Sequence, residues 1–425
     1  MTATDVRVPA VGGRRTVPAP DAVARDYILL ALRLEQHLPG LVDGYHGPAA
    51  LKAQVDMDQR RSPAGLADDA SALRARLPLE VAEPDRRAWL DGQLIALETQ
   101  AAALAGDALP YLDHVTRCFD HTPAWIPDER FDDAAARIDD LLPGDAVLED
   151  RLAAWDARLE VPADHLPAVL DWLVERFRGV AAGLFGLPDG EGVRLGLVRD
   201  QPWSAYNWYD GGRHSRIDVN TDLPVRAPSL PAMMAHESYP GHHLEQSTKE
   251  AEQVDRLGRL ESSILLINTP ESLISEGLAD LGGRFVAPAT ERTDLLVELF
   301  ERAGIASSEP AETRATAARA AAIEAQRRTL TTIGGNAALL RHVEGRSHDE
   351  VATYLRAVGR LAPARAEKRL EFIEHPLWRT YVFVYAEGEA LLERWVEAVP
   401  EAERAARFAR LLREQLTPAA VRSPG

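Results

Sequence analysis

The sequence predicts a mostly helical fold with one small antiparallel β-sheet placed just ahead of a metal-binding helix. Three observations carry that prediction. Runs with apolar residues at helical spacing fill most of the 425 residues. A single interval, 193–222, alternates polar and apolar residues instead. Within 236–243, three of the twelve histidines and a carboxylate fall in eight positions.

Taken in order, residues 1–20 contain no apolar run of the kind a secretion signal needs, and they read as a flexible leader on a cytoplasmic chain. Residues 22–38 set Ala24, Ile28, Ala31 and Leu32 on one stripe that Pro39-Gly40 stops. Trp89, Leu90, Leu94 and Leu97 give 86–104 the same character. Further helices are predicted at 132–142, 148–159, 166–185, 290–304, 311–331, 349–358 and 391–399. The strands are 194–198 and 215–221, separated by an aromatic run (Trp203, Tyr206, Trp208, Tyr209) and an Asp210-Gly211-Gly212 turn. Asn220 and Thr221 are expected to flank a sheet edge open to an extended substrate. A soft boundary at 186–192 separates a helical region, 21–190, from a metal-bearing region, 191–425, although one core can serve both. The chain shows no fixed-period repeat and no glycine-rich phosphate loop.

Composition narrows the partners. A net charge of −18, spread along the chain, argues against nucleic acid or an anionic membrane as partner. No eighteen-residue apolar stretch occurs. Cys118 is the only cysteine, so no intrachain disulfide can form.

The segment His236-Glu-Ser-Tyr-Pro-Gly-His-His243 carries the chemistry. A His-Glu pair opens a hydrolytic zinc helix when a second imidazole follows at i+4. Here Pro240 occupies that position, and the next imidazoles are His242 at i+6 and His243 at i+7. On a straight helix, i+6 lies roughly 120° around the axis and i+7 about 10 Å further along. Two ligands of one zinc cannot be so far apart, so the backbone must break at Pro240-Gly241. Such a break returns His242 to the face of His236 and leaves His243 pointing into a supporting or substrate-facing position. The plainer alternative is a polar helix end whose histidines cap carbonyls.

The segment resembles the bacterial DUF885 family of zincin-like metallopeptidases, whose motif has the form His-Glu-x-x-Pro-Gly-His-His. His236, Glu237, Pro240, Gly241, His242 and His243 stand at matching positions. Glu245 adds one residue before Gln246, so no family role carries over to Gln246. Glu276-Gly277 resembles the family's Glu-Gly-Trp-Ala segment, with Leu278 in place of the tryptophan. Tyr385 and Gly388 resemble its C-terminal Tyr-x-x-Gly, whereas 327–342 departs from the common pattern.

A hydrolytic zinc site needs a third protein ligand, and Glu276, on a predicted downstream helix, is the candidate, with Glu271 as its rival. Asp280, one turn on, would orient a ligating histidine. Glu237 is the expected general base, moving a proton from water to the leaving amine. Tyr385 is the candidate oxyanion donor and Tyr381 its competitor. His214, His342 and His348 read as surface or connecting residues. These expectations add up to a zinc-dependent hydrolase acting on an amide bond of a peptide or peptide-like small molecule. Two rivals remain: a metal-assisted lyase or cyclase, and a metal- or ligand-binding module without catalysis.

Overall fold

The first described helix, Ala22–Glu35, starts where Asp21 accepts the Ala24 amide, and it buries Tyr27, Ile28, Leu30 and Leu34. The structure is a computed structural model that describes residues 21–201 and 203–422, so the expected leader lies outside the described residues. Helices appear at each predicted span, among them Pro84–Leu104, Leu166–Phe185, Pro310–Thr331 and Val384–Glu397. Seven further helices escaped prediction: Ala49–Met57, Pro63–Glu80, Tyr111–Phe119, Ile333–His342, Pro363–Glu374, Glu401–Arg413 and Pro418–Arg422.

Five short strands complete the described fold: β1 (Val42–Tyr45), β2 (Gly192–Val198), β3 (Ala205–Gly211), β4 (His214–Asn220) and β5 (Ile264–Leu266). The sheet ahead of the histidine segment has the order β2-β4-β3. The β3–β4 pair is an antiparallel hairpin turning at Gly211 and Gly212, both with positive φ, and its β3 is the aromatic run read from the sequence as lying between the two predicted strands. The two predicted strands, β2 and β4, run parallel to each other instead, so the sheet is mixed. Burial explains the order, because β4 carries the fully buried Ile217 and Val219 and takes the centre. Asn220 and Thr221 therefore sit at the end of the central strand, not on an open edge. Asn220 donates to the carbonyls of Gln201 and Trp203, and Thr221 bonds Val198, tying the sheet's own loops together.

The boundary at 186–192 does not divide the core. A single apolar cluster draws on both regions, and β1 pairs with β5 across the boundary. Buried Arg86 makes a two-pronged ion pair with fully buried Glu261 at 2.7 and 2.9 Å, which is the fork geometry that suits a desolvated carboxylate. Among the described residues, no helix is long and apolar enough to cross a membrane.

Two central helices, Pro270–Val286 and Val384–Glu397, cross backbone on backbone. A Cβ at Gly277 would lie 2.3 Å from the carbonyl carbon of Gly388, and one at Gly388 would lie 2.4 Å from the Leu273 oxygen. Neither position has room for a side chain. This contact brings the Tyr381–Tyr385 segment onto the helix that carries Glu276.

Candidate metal centre

The break in the histidine segment has a defined construction. Leu230–Glu237 is helical and ends at Ser238, whose φ and ψ of −112° and −95° leave the helix. The Tyr239–Pro240 peptide is cis. Gly241 then folds back so that its amide donates to the Ala235 carbonyl at 3.0 Å, and a new helix starts at His242. A Cβ on Gly241 would fall 1.9 Å from the His236 carbonyl oxygen, so only glycine fits this approach. The two-residue detour sets His242 Nε2 3.1 Å from His236 Nε2. Two ligand bonds of 2.0–2.1 Å at the tetrahedral angle place their nitrogens about 3.3 Å apart.

Glu276 completes the group. Its Oε2 lies 3.3 Å from His236 Nε2 and 3.7 Å from His242 Nε2, and one ligand atom from each residue falls within 4.8 Å of the others. Its Oε1 accepts from the Tyr381 hydroxyl at 2.7 Å, while buried Oε2 has no hydrogen-bond partner. Asp280 meets His236 Nδ1 at 3.0 Å. Ser275 lies 3.4 Å from His242 Nδ1, and Glu245 lies 3.8 Å from it. With both Nδ1 atoms engaged by oxygen partners, the Nε2 lone pairs of both rings face each other and the orphaned carboxylate oxygen. Such an arrangement of donors calls for a cation at its centre. Two imidazoles and a carboxylate match zinc's ligand preferences.

The electrostatics point the same way. Burial opposes charge on both imidazoles, yet Asp280 and Glu276 hold His236 well above the usual imidazole range. Glu276 and Glu245 push His242 up to about 10. Burial would raise Glu276, but His242 and His236 hold it well below the ordinary carboxylate range. The pocket therefore favours positive charge strongly.

Around this centre stand the groups that chemistry would need. Glu237 is desolvated, which together with Glu276 and Asp43 raises its carboxyl pKa against the pull of His236 and His242. Its backbone carbonyl is fixed by Asn207 of β3 at 2.6 Å. The ring of Tyr385 lies 6.5 Å from that of His236, and the residue is 40% exposed, so it borders the open side of the site. Desolvation and the nearby carboxylates Glu276, Asp280 and Glu237 hold its hydroxyl proton firmly. Tyr381 is buried and committed to Glu276.

Other expectations resolve differently. Glu271, the rival ligand, is turned away to Lys249 and to the Trp89 indole N–H. His243 lies outside the group formed by His236, His242 and Glu276 and is closed to solvent. It is fully buried, bonded at 2.9 Å to Ser215 through Nδ1 and at 2.9 Å to Glu191 through Nε2. The exposed His214 bonds the Gly212 carbonyl, His342 bonds the Ile373 carbonyl, and His348 pairs with Glu367 and Glu374. None of the three belongs to the centre.

Two further residues have roles at the site that the sequence did not reveal. Glu245 is wholly buried between Lys249 and Ser275, at 2.7 and 2.5 Å. Burial would raise its pKa, but Lys249 and His242 hold it at about 2. Its i, i+4 spacing to Lys249 was the available signal. Asp43 of β1 accepts from Tyr206 of β3 and lies close enough to feel His242 and Glu276. No local pattern announces it.

No family profile matches the chain, and no curated protein matches it. Among solved structures, it is similar to one described as "putative lipoprotein from Colwellia psychrerythraea", with a TM-score of 0.51 at 13% identity. The match covers 84% of this chain and 65% of that one, so the chain spans a little under two thirds of that protein's length. A second, "a putative lipoprotein of unknown function from Shewanella oneidensis", matches at a TM-score of 0.47 and 11% identity over 88% of this chain and 74% of that one. The first likeness shows a shared fold.

Proposed function

We propose that the protein is a zinc-dependent hydrolase that cleaves an amide bond in a peptide or peptide-like small molecule. One observation carries the reading: two imidazole nitrogens and an unpartnered carboxylate oxygen converge beside a buried second carboxylate, Glu237. His236, His242 and Glu276 would hold the metal. Zinc, when bound, supplies a Lewis acid that polarises the carbonyl and makes water easier to deprotonate.

The remaining work belongs to the chain's own groups. Glu237 takes a proton from the attacking water and passes it to the departing amine. Its raised pKa makes it a better proton carrier than an exposed glutamate. Tyr385 retains its proton at neutral pH and so can donate to the carbonyl oxygen as negative charge develops there. Asp280 holds His236, and Ser275, itself donating to Glu245, holds His242, in the tautomer that points Nε2 inward.

The match of His236 to His243, Glu276-Gly277 and Tyr385 to Gly388 supports placing the chain with the DUF885 proteins. Gly277 and Gly388, which that resemblance pairs with the site residues, are positions where the backbones of the central helices leave no room for a side chain.

The test is Glu237→Gln in zinc-loaded protein, assayed for amine release from a mixed peptide and N-acyl amino acid panel. The amide cannot accept a proton, so turnover should fall by about 10²-fold or more while zinc content stays unchanged. Near-normal turnover of a cleaved substrate would refute the role of Glu237.

A further inference from the structure

Arg369 lies on the Pro363–Glu374 helix, and its surface is neither buried nor fully open. Its side chain lies along Gly334, where an added Cβ would meet Arg369 Cδ and a terminal nitrogen at 3.4 Å and the Val382 methyl at 3.2 Å. Glycine at 334 thus provides the trough in which the guanidinium rests, one segment away from Tyr381 and Tyr385. Among the described residues, no carboxylate, carbonyl or hydroxyl bonds to it. The arginines nearer the rim are used differently: Arg284 pairs with Glu389 and Glu393, and Arg328 pairs with Glu389.

A half-buried guanidinium without a counter-charge gives up part of its water and gains no partner, which leaves it available to an incoming anion. Desolvation accordingly lowers its pKa, and the neighbour whose charge it feels is Tyr385. Tyr385 is also the residue at the open side of the metal centre. A chain of net charge −18, with Glu237, Glu276, Asp280, Glu245 and Asp43 around the centre, would repel an anionic substrate unless a local cation received it.

We propose that Arg369 receives a carboxylate on the substrate, so that the amide cleaved here belongs to a molecule bearing a free carboxylate near the scissile bond. This rests on the hydrolase reading. The substrate class is then N-acyl amino acids or the C-terminal ends of short peptides, and internal peptide bonds of longer chains are disfavoured. A planar two-pronged donor suits this task, since it pairs with both oxygens of a carboxylate.

The experiment uses two probes that differ at one end only: the monohydroxamate of succinate, and its counterpart with a carboxamide in place of the carboxylate. The hydroxamate engages the metal, and the far end reports on Arg369. Calorimetric titration into zinc-loaded wild-type protein should show the carboxylate probe binding roughly 10- to 100-fold more tightly, as one charge-assisted contact allows. Arg369→Gln should bind both probes alike with unchanged zinc content. Its melting temperature should hold or rise, because an unpartnered charge has been removed. Arg369→Lys should restore part of the preference. Equal affinity of the wild type for both probes, or a preference that survives in Arg369→Gln, overturns the proposal and leaves the metal centre standing. Failure of both probes to bind a wild type that holds no zinc overturns the hydrolase reading beneath it.

Discussion

Gly241→Ala should dismantle the centre without touching a ligand. The new Cβ would sit 1.9 Å from the His236 oxygen and 2.6 Å from the Ala235 oxygen. Both obstacles are backbone, so no rotamer change relieves them. Reaching ordinary van der Waals separation of about 3.5 Å requires a displacement of roughly 1.5 Å. His242 is the next residue, and a zinc site tolerates ligand distances only within about 0.2 Å. The second imidazole therefore leaves the site, and zinc affinity should fall by at least about 100-fold, the upper range for losing even a supporting group. Forcing the approach at a packed backbone turn should also cost about 3 kcal/mol or more. The assay pairs zinc titration with a chelating indicator and thermal unfolding of the metal-free protein. A variant with wild-type melting temperature and wild-type zinc affinity would refute the close-approach argument.

Asp280→Asn keeps the shape but weakens the hold on His236 Nδ1, so zinc affinity should fall about 10- to 100-fold with little change in the metal-free melting temperature; chelator competition measures it. Glu191 accepts from His243, Tyr239 and Arg178, and although burial would raise its pKa these partners hold it at about 2. Because the folded pKa is depressed below the unfolded value of about 4.3, the stabilisation is complete above that pH and is lost as pH falls toward 2; it amounts to something on the order of 3 kcal/mol. Denaturant unfolding of wild type and Glu191→Gln at pH 7 and pH 3 should show the gap between them narrowing at the lower pH, and a gap independent of pH would contradict the assignment.

The long helices were legible because their apolar stripes repeat over several turns, as in Leu166–Phe185, which buries Val169, Leu170, Leu173, Val174 and Phe177. Ala49–Met57 buries only Leu51 and Val55, and Pro63–Glu80 contains Pro78, so neither offered a readable stripe. Tyr111–Phe119 did offer one, with Tyr111, Val115, Cys118 and Phe119 buried at helical spacing, and its brevity concealed it. In the site, local chemistry carried far: the break at Pro240-Gly241 follows from ligand spacing alone, and Asp280 from its one-turn offset to Glu276. What escaped was non-local. The buried acceptor Glu191 for His243 lies 52 residues upstream, and Asp43 arrives through the β1–β5 pairing. The parallel β2–β4 pair depended on which strand was buried most, which alternation within each strand does not reveal.

A break in the helix makes His242, and not His243, the partner of His236. Zinc stoichiometry of the purified wild type, His242→Ala and His243→Ala tests it most directly. The wild type should hold about one zinc per chain, and His242→Ala should retain none. In His243→Ala, zinc should be retained by whatever protein folds, because that ring bonds Glu191 and Ser215 and not the centre. A zinc-free wild type, or a folded His243→Ala without zinc beside a zinc-replete His242→Ala, would contradict it.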